Sequence, residues 1–364
     1  MLNHTGLQVH SNYTPFRQSS GGKEGEISME STNLNRATFI GIDAHTMEHT
    51  ALAINRFEEE KGRLQFDNTH EGIAQFLSWI PTVEKNNDSV LVGIEGGSTE
   101  RNAMLRSLVE QYHHVYEINP LFTKQRRDYG TCGDKSDIKD AKLIAEVLTK
   151  KLNELPLIIK SQVTPDRLVF RKTVWFYEEV TERGAGIQHH IKQLGREKSL
   201  AKDKRERKAL SVMLKAKEQE LKRIRKSQKE LRNILADLLP SSGKNLTTMP
   251  GISTVLAAKI LAHTNGIDRF RNINKFIKYA GIAPLERSSG KTRKYIKANR
   301  GNRKLHAAIY MTALTQLCRQ TKAKEYFDKK VSEGKTRKHA LRCLMKRIAC
   351  VVYGMMKSGE SYRG

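Results

Sequence analysis

Thr38-Phe39-Ile40-Gly41-Ile42-Asp43 is a short apolar run that stops on an acid, and the same shape returns as Ser89-Val90-Leu91-Val92-Gly93-Ile94-Glu95. Runs of this length, rich in β-branched residues, read as buried strands. Further strands are expected near residues 50–55 and 64–68, and another at 114–118, with a helix near 71–80 and helical segments after each later strand. Alternation of this kind predicts an α/β layer around a buried sheet. If the two acid-ended runs are neighbouring strands, Asp43 and Glu95 emerge together at the edge where α/β folds place their sites.

A second pair of acids, Asp137 and Asp140, opens a segment at 135–150 that reads as a helix. Their i, i+3 spacing puts both carboxylates on one face. Four converging acids repel one another and resist ionisation unless a divalent cation neutralises them, and hard oxygen donors suit Mg²⁺ or Mn²⁺. Two such ions roughly 3.5–4 Å apart can activate a nucleophile and stabilise the leaving oxygen of a phosphodiester. The plainer reading of the helix pair is that the dipole favours acids in a first turn, whatever their function.

The charge balance agrees with a phosphate-bearing partner. The 364 residues hold 65 Lys and Arg against 39 Asp and Glu, a net charge of +26, which points to a polyanion and to nucleic acid first. Apolar stretches such as 348–356 fall well short of the roughly 20 residues that span a bilayer, so no membrane helix is expected. Residues 1–36, rich in Ser, Asn, Thr and Gly without an apolar h-region, read as a flexible tail. Cys132, Cys318, Cys343 and Cys350 form no C-x-x-C pair, which argues against a zinc site or disulfide framework and fits a reducing cytoplasm. A G-x-x-x-x-G-K-[ST] phosphate loop is absent, so no ATP site is expected.

Beyond Pro156 the sequence becomes long, charged and helix-favouring. Leu210, Leu214, Leu221, Ile224, Leu231, Leu235 and Leu238 recur at spacings of four and three, with Lys217 and Gln228 at the intervening seam positions. This predicts a coiled-coil seam, twice interrupted by polar residues. The stretch 192–232 carries 16 basic and 6 acidic residues, suited either to a phosphate backbone or to plain solvation. After Pro240 and Ser241-Ser242-Gly243, a third, mostly helical region is expected from about residue 245. Within it Thr248-Met249-Pro250-Gly251-Ile252-Ser253 resembles the turn of a helix-hairpin-helix, whose N–H groups can meet a phosphate. Ser288-Ser289-Gly290 follows, an ordinary turn sequence set among eight basic residues and no acid between 287 and 304. Arg287, Lys291, Arg293, Lys294, Lys297, Arg300 and Arg303 are candidate nucleic-acid contacts. A serine among such cations can also attack a phosphodiester.

Several of these motifs, in order, resemble one family. They are the Gly-Ile-Asp strand, Ile94-Glu95-Gly96-Gly97, Ile118-Asn119-Pro120, Lys135-Ser136-Asp137-Ile138-Lys139-Asp140-Ala141, Pro250-Gly251-Ile252, and Tyr279-Ala280-Gly281-Ile282-Ala283-Pro284 before Ser288-Ser289-Gly290. Together they resemble the insertion-sequence one-ten transposases and the related Piv-type DNA invertases, over most of the chain after Arg36. The resemblance implies an α/β RuvC-like (RNase H-like) domain at 37–155, an α-helical coiled-coil domain at 156–244 and a mainly α-helical C-terminal transposase domain at 245–364. It places a metal-binding DEDD set on Asp43, Glu95, Asp137 and Asp140, with Mg²⁺ or Mn²⁺, and a nucleophilic serine on Ser289, with Ser288 adjacent as the alternative. It also implies donor and target DNA, a non-coding bridge RNA as guide, dimers or tetramers with composite sites, for which the seam from Leu210 to Leu238 would seat a partner helix, and a bacterial cytoplasm at the nucleoid. The segment before Arg36 departs from the family pattern, in which the first strand lies near the start. Two rival readings are a hydrolytic nuclease of the RuvC or Holliday-junction resolvase type and a non-catalytic nucleic-acid-binding protein.

Overall fold

The computed structural model describes residues 34–95, 102–128, 136–283, 285–289, 292–296, 301–319 and 322–364, with backbone alone at 102, 103, 128, 285–289 and 292–296. Most of the expected tail, Gly96, Gly97, Cys132, Lys135, Pro284, Gly290, Lys291, Lys297 and Arg300 lie outside the described residues.

The N-terminal half is a five-stranded sheet of order β3-β2-β1-β4-β5, from β1 (Thr38–Ala44), β2 (Glu48–Ile54), β3 (Glu60–Asp67), β4 (Val90–Glu95) and β5 (Val115–Ile118). The first three strands form an antiparallel meander, while β4 and β5 join parallel to β1. The strand pattern follows period two. Ile40, Ile42, Val90, Val92 and Ile94 enter one core with α1 (His70–Val83) and α2 (Asn102–Gln111). Phe39 and Leu91 turn to the other face, against α4 (Asp137–Lys151), which follows α3 (Pro120–Asp128).

How closely α4 lies on the sheet is decided by Gly41. A Cβ there would sit 2.1 Å from the Ala141 carbonyl oxygen and 2.5 Å from the Ala145 nitrogen. Only a side-chain-free strand residue facing two alanines one turn apart lets backbone meet backbone in this way.

Two long helices follow, α5 (Pro165–Leu200) and α6 (Lys204–Asp237). Thr164 and Asp203 cap them, and Pro165 occupies the first turn of α5, where its missing N–H is harmless. They run antiparallel: Arg183 pairs with Glu220 at 3.0 Å, and Gln228 donates to Thr181 at 3.4 Å. The seven apolar seam residues, with Lys217 and Gln228, are all buried or half-buried along α6 and its cap, as are Ser211, Glu220 and Ser227. The face read as a seat for a partner helix is therefore occupied by α5 of the same chain.

The remaining elements are α7 (Ser241–Thr247), α8 (Thr254–Thr264), α9 (Ile273–Tyr279), β6 (Leu285–Ser289), β7 (Thr292–Ile296), α10 (Arg303–Cys318), α11 (Lys322–Ser332) and α12 (Arg337–Ser358). Phe170 and Val174 of α5 and Leu235 of α6 share one apolar core with α8, α10 and α12, so the base of the long hairpin is built into this half. Gly251 turns with φ 86° and Ser253 caps α8, so a turn at 248–253 joins α7 to α8. Within this mostly helical region β6 and β7 form one short pair. Ser289 pairs with Thr292 and Leu285 with Ile296, so the two strands run antiparallel. Arg269 joins the halves, its guanidinium 3.1 Å from Glu117 of β5. No helix among the described residues is long and apolar enough to cross a membrane.

Candidate metal centre and serine hairpin

Asp43 and Glu95 stand side by side because β1 and β4 are parallel and Ile42 lies opposite Ile94. Alternation sends both toward the α4 face, the face of Phe39, Gly41, Leu91 and Gly93. Ser136 caps α4 by accepting from the Lys139 amide at 3.3 Å. The close packing on Gly41 brings the first turn of that helix, with Asp137 and Asp140, to the same sheet edge. Asp140 is buried and Asp137 exposed.

Three residues not singled out in the sequence complete the cluster. His45 Nε2 lies 3.1 Å from Asp43 Oδ2 and 3.6 Å from Asp137 Oδ1. Arg127 donates to Asp140 at 2.5 Å, and the buried Thr123 hydroxyl to Glu95 at 3.3 Å. Both come from α3, which Ile118-Asn119-Pro120 starts at the end of β5: the Asn119 side chain accepts from the Leu121 amide at 2.9 Å, and Pro120 is the first helical residue. His45 had a readable signal, since it lies two residues beyond Asp43, just past the end of β1. Thr123 and Arg127 share a helix face four apart, but nothing local points them at acids far along the chain.

The electrostatics show one shared site. Burial pushes the Asp43 carboxyl above the ordinary range; His45 opposes this, while Asp140 and Asp137 add to it. Glu95 is likewise raised, first by burial and then by Asp43, with Asp140 adding and Thr123 and Arg127 opposing. Donor atoms of Asp43, His45 and Asp137 all lie within 4.8 Å of one another. A shallow cavity of about 360 Å³ opens beside them, lined in part by His45, Met47 and Asp137. Clustered hard oxygens, two of them on carboxyls raised first by burial and further by their acidic neighbours, fit a divalent cation.

The serines lie on a different element. Ser288 pairs with Arg293 and Ser289 with Thr292 across β6 and β7. The base of this segment is closed by Asn302, whose amide donates to the Tyr279 carbonyl at 2.7 Å and whose side chain donates to the Tyr279 hydroxyl at 3.1 Å. Gly301, at φ 112°, is confined there, since a Cβ would meet the Gly281 nitrogen at 2.7 Å. The side chains of Arg287, Ser288, Ser289, Arg293 and Lys294 lie outside the described residues, and Arg303 is exposed at the start of α10.

Comparison with known proteins connects both the acid-bearing half and the helical half to transposases. A family model for DEDD transposases of the IS110 type, described as Transposase, matches residues 40–164 and so includes all four acids. A second, described as Transposase IS116/IS110/IS902 family, matches residues 243–328 and includes the hairpin. The chain belongs to the IS110/IS116/IS902 family of transposases. It is similar to an uncharacterized 44.8 kDa protein of insertion element IS116 from Streptomyces clavuligerus, 32% identical over 31% of this chain and 28% of the relative. An uncharacterized 42 kDa protein of insertion element IS900 from Mycobacterium paratuberculosis is 31% identical over 32% of this chain and 30% of its own. An uncharacterized 43.6 kDa protein of insertion element IS110 from Streptomyces coelicolor is 31% identical over 32% of this chain and 29% of its own. The matches thus span about three-tenths of these curated relatives.

Proposed function

We propose that the chain cuts and rejoins DNA as the recombinase of an insertion sequence, using Asp43, Glu95, Asp137 and Asp140 as a metal centre and Ser289 as nucleophile. The observation that carries this reading is the convergence of acids from β1, β4 and α4 at one sheet edge. In this reading residues 37–155 are a RuvC-like domain, 156–244 a helical domain with its coiled-coil pair, and 245–364 the transposase domain. A divalent cation at the acids, Mg²⁺ or Mn²⁺, supplies positive charge to a phosphodiester and its leaving oxygen. Thr123 and Arg127 fix the carboxylates of Glu95 and Asp140. The flanking basic residues of 287–303 hold phosphate oxygens while the Ser289 hydroxyl loses its proton and bonds to phosphorus. One phosphorus–sugar oxygen bond breaks, and the freed sugar hydroxyl takes up a proton. Rejoining reverses the step: a sugar hydroxyl of a second DNA attacks the phosphoserine and releases Ser289, so no ATP is consumed. Ser288 is the neighbouring alternative. The net charge of +26 supports binding of donor DNA, target DNA and an element-encoded guide RNA. A dimer or tetramer, acting in the cytoplasm on the host DNA, brings acids and serine together from different protomers.

The test is a denaturing gel of protein incubated with its native flanking DNA, guide RNA and Mg²⁺. A protein–DNA adduct lost in both Ser289→Ala and Asp43→Asn is the expected result. Cleavage that leaves no adduct and survives Ser289→Ala makes the protein a hydrolytic nuclease; salt-sensitive binding with no strand breakage makes it a binding protein alone.

A further inference from the structure

We infer that His45 is a nitrogen ligand of the metal centre and makes this site prefer Mn²⁺ to Mg²⁺. The inference rests on the carboxylate reading above and adds a residue and a metal preference to it. Two side chains bound at right angles to one cation at roughly 2.0–2.2 Å stand roughly 2.8–3.1 Å apart. His45 Nε2, hydrogen-bonded to Asp43 at 3.1 Å, already stands at that spacing, and the exposed Asp137 carboxylate lies slightly farther off at 3.6 Å. The three donors come from a strand, the turn after it and a helix, so their convergence is not a product of local chain geometry. Asp140 meanwhile gives one oxygen to Arg127 at 2.5 Å, which lowers the oxygen supply and leaves a role for another donor.

The chemistry of the set then favours one metal. Carboxylates suit Mg²⁺, Ca²⁺ and Mn²⁺, whereas imidazole is a poor match for Mg²⁺ and a good one for transition metals. A set in which oxygens dominate and one imidazole takes part favours Mn²⁺ over Mg²⁺. His45 is half exposed at its side chain, so replacing it leaves the core intact.

The experiment is pulsed electron paramagnetic resonance of Mn²⁺ bound to the full-length protein, with competition by Mg²⁺, comparing the parent, His45→Ala and Asp43→Asn. The expected result is a ¹⁴N coupling in the parent that vanishes in His45→Ala, with the Mn²⁺ over Mg²⁺ preference falling about 10-fold or more, the scale on which lost coordination partners act. Mn²⁺ that binds the parent without ¹⁴N coupling, and is lost in Asp43→Asn, overturns the role of His45 and leaves the carboxylate centre standing. Mn²⁺ that fails to bind the parent, or binds Asp43→Asn equally well, overturns the centre and His45 together.

Discussion

Asp43 and Glu95 are held above the ordinary carboxyl range first by burial, so the folded protein binds their protons more tightly than the unfolded chain. Stability from this source is full below the unfolded values and is lost as pH rises through the raised ones. Without metal, the acids therefore work against the fold at neutral pH. Asp43→Asn is expected to melt higher than the parent in EDTA at pH 7, with the gap closing toward pH 4, and divalent metal should raise only the parent; thermal melts across pH check this. Glu178 has the opposite sign. Burial pushes it up, but His263 at 3.0 Å, with Lys259 and Lys304, outweighs that and holds it below the ordinary range. Its contribution is present above the unfolded value and lost on acidification through the folded one. Glu178→Ala strands a buried partner and should cost about 3–5 kcal/mol in urea denaturation. At this scale the four acids were legible because strand ends and helix starts are local features. Thr123 and Arg127 were not, because their contacts with Glu95 and Asp140 exist only once α3 and α4 meet the sheet.

Among the elements, the contact of β1 with α4 governs the site. Gly41→Ala places a methyl 2.1 Å from backbone, so the helix must shift. A loss of about 1–3 kcal/mol or more is expected, together with weakened metal binding, since Asp137 and Asp140 ride on the displaced turn; calorimetric titration with Mn²⁺ beside a denaturation curve measures both. The α6 periodicity was legible in its spacing, down to the polar positions Lys217 and Gln228. Its partner was not, because a heptad pattern says that a helix faces it and not which chain supplies that helix. The β6–β7 hairpin was hidden for another reason: Leu285 to Ile296 is dominated by charged and small residues, so the apolar run that announced β1 and β4 is missing.

For the whole molecule the net charge is the controlling quantity. Nucleic-acid affinity should fall linearly in logarithm with log salt, with a slope near −0.9 per duplex phosphate neutralised. Lys222, Arg225 and Lys229 are exposed on α6; replacing all three with Glu should flatten that slope in filter-binding or anisotropy titrations if the long hairpin follows a phosphate backbone, and leave it unchanged if that face is only solvated. The Arg269–Glu117 bridge, nearly buried on the arginine side, fixes where the acid-bearing sheet sits against the helical half. The most direct test of the central claim is strand cleavage of the flanking DNA by parent and Asp43→Asn protein, with guide RNA and with Mn²⁺ or Mg²⁺ present. Broken strands with the parent and none with the variant, at equal DNA binding, is the predicted result; equal cleavage by both would show that the acids at the sheet edge are not the catalytic centre.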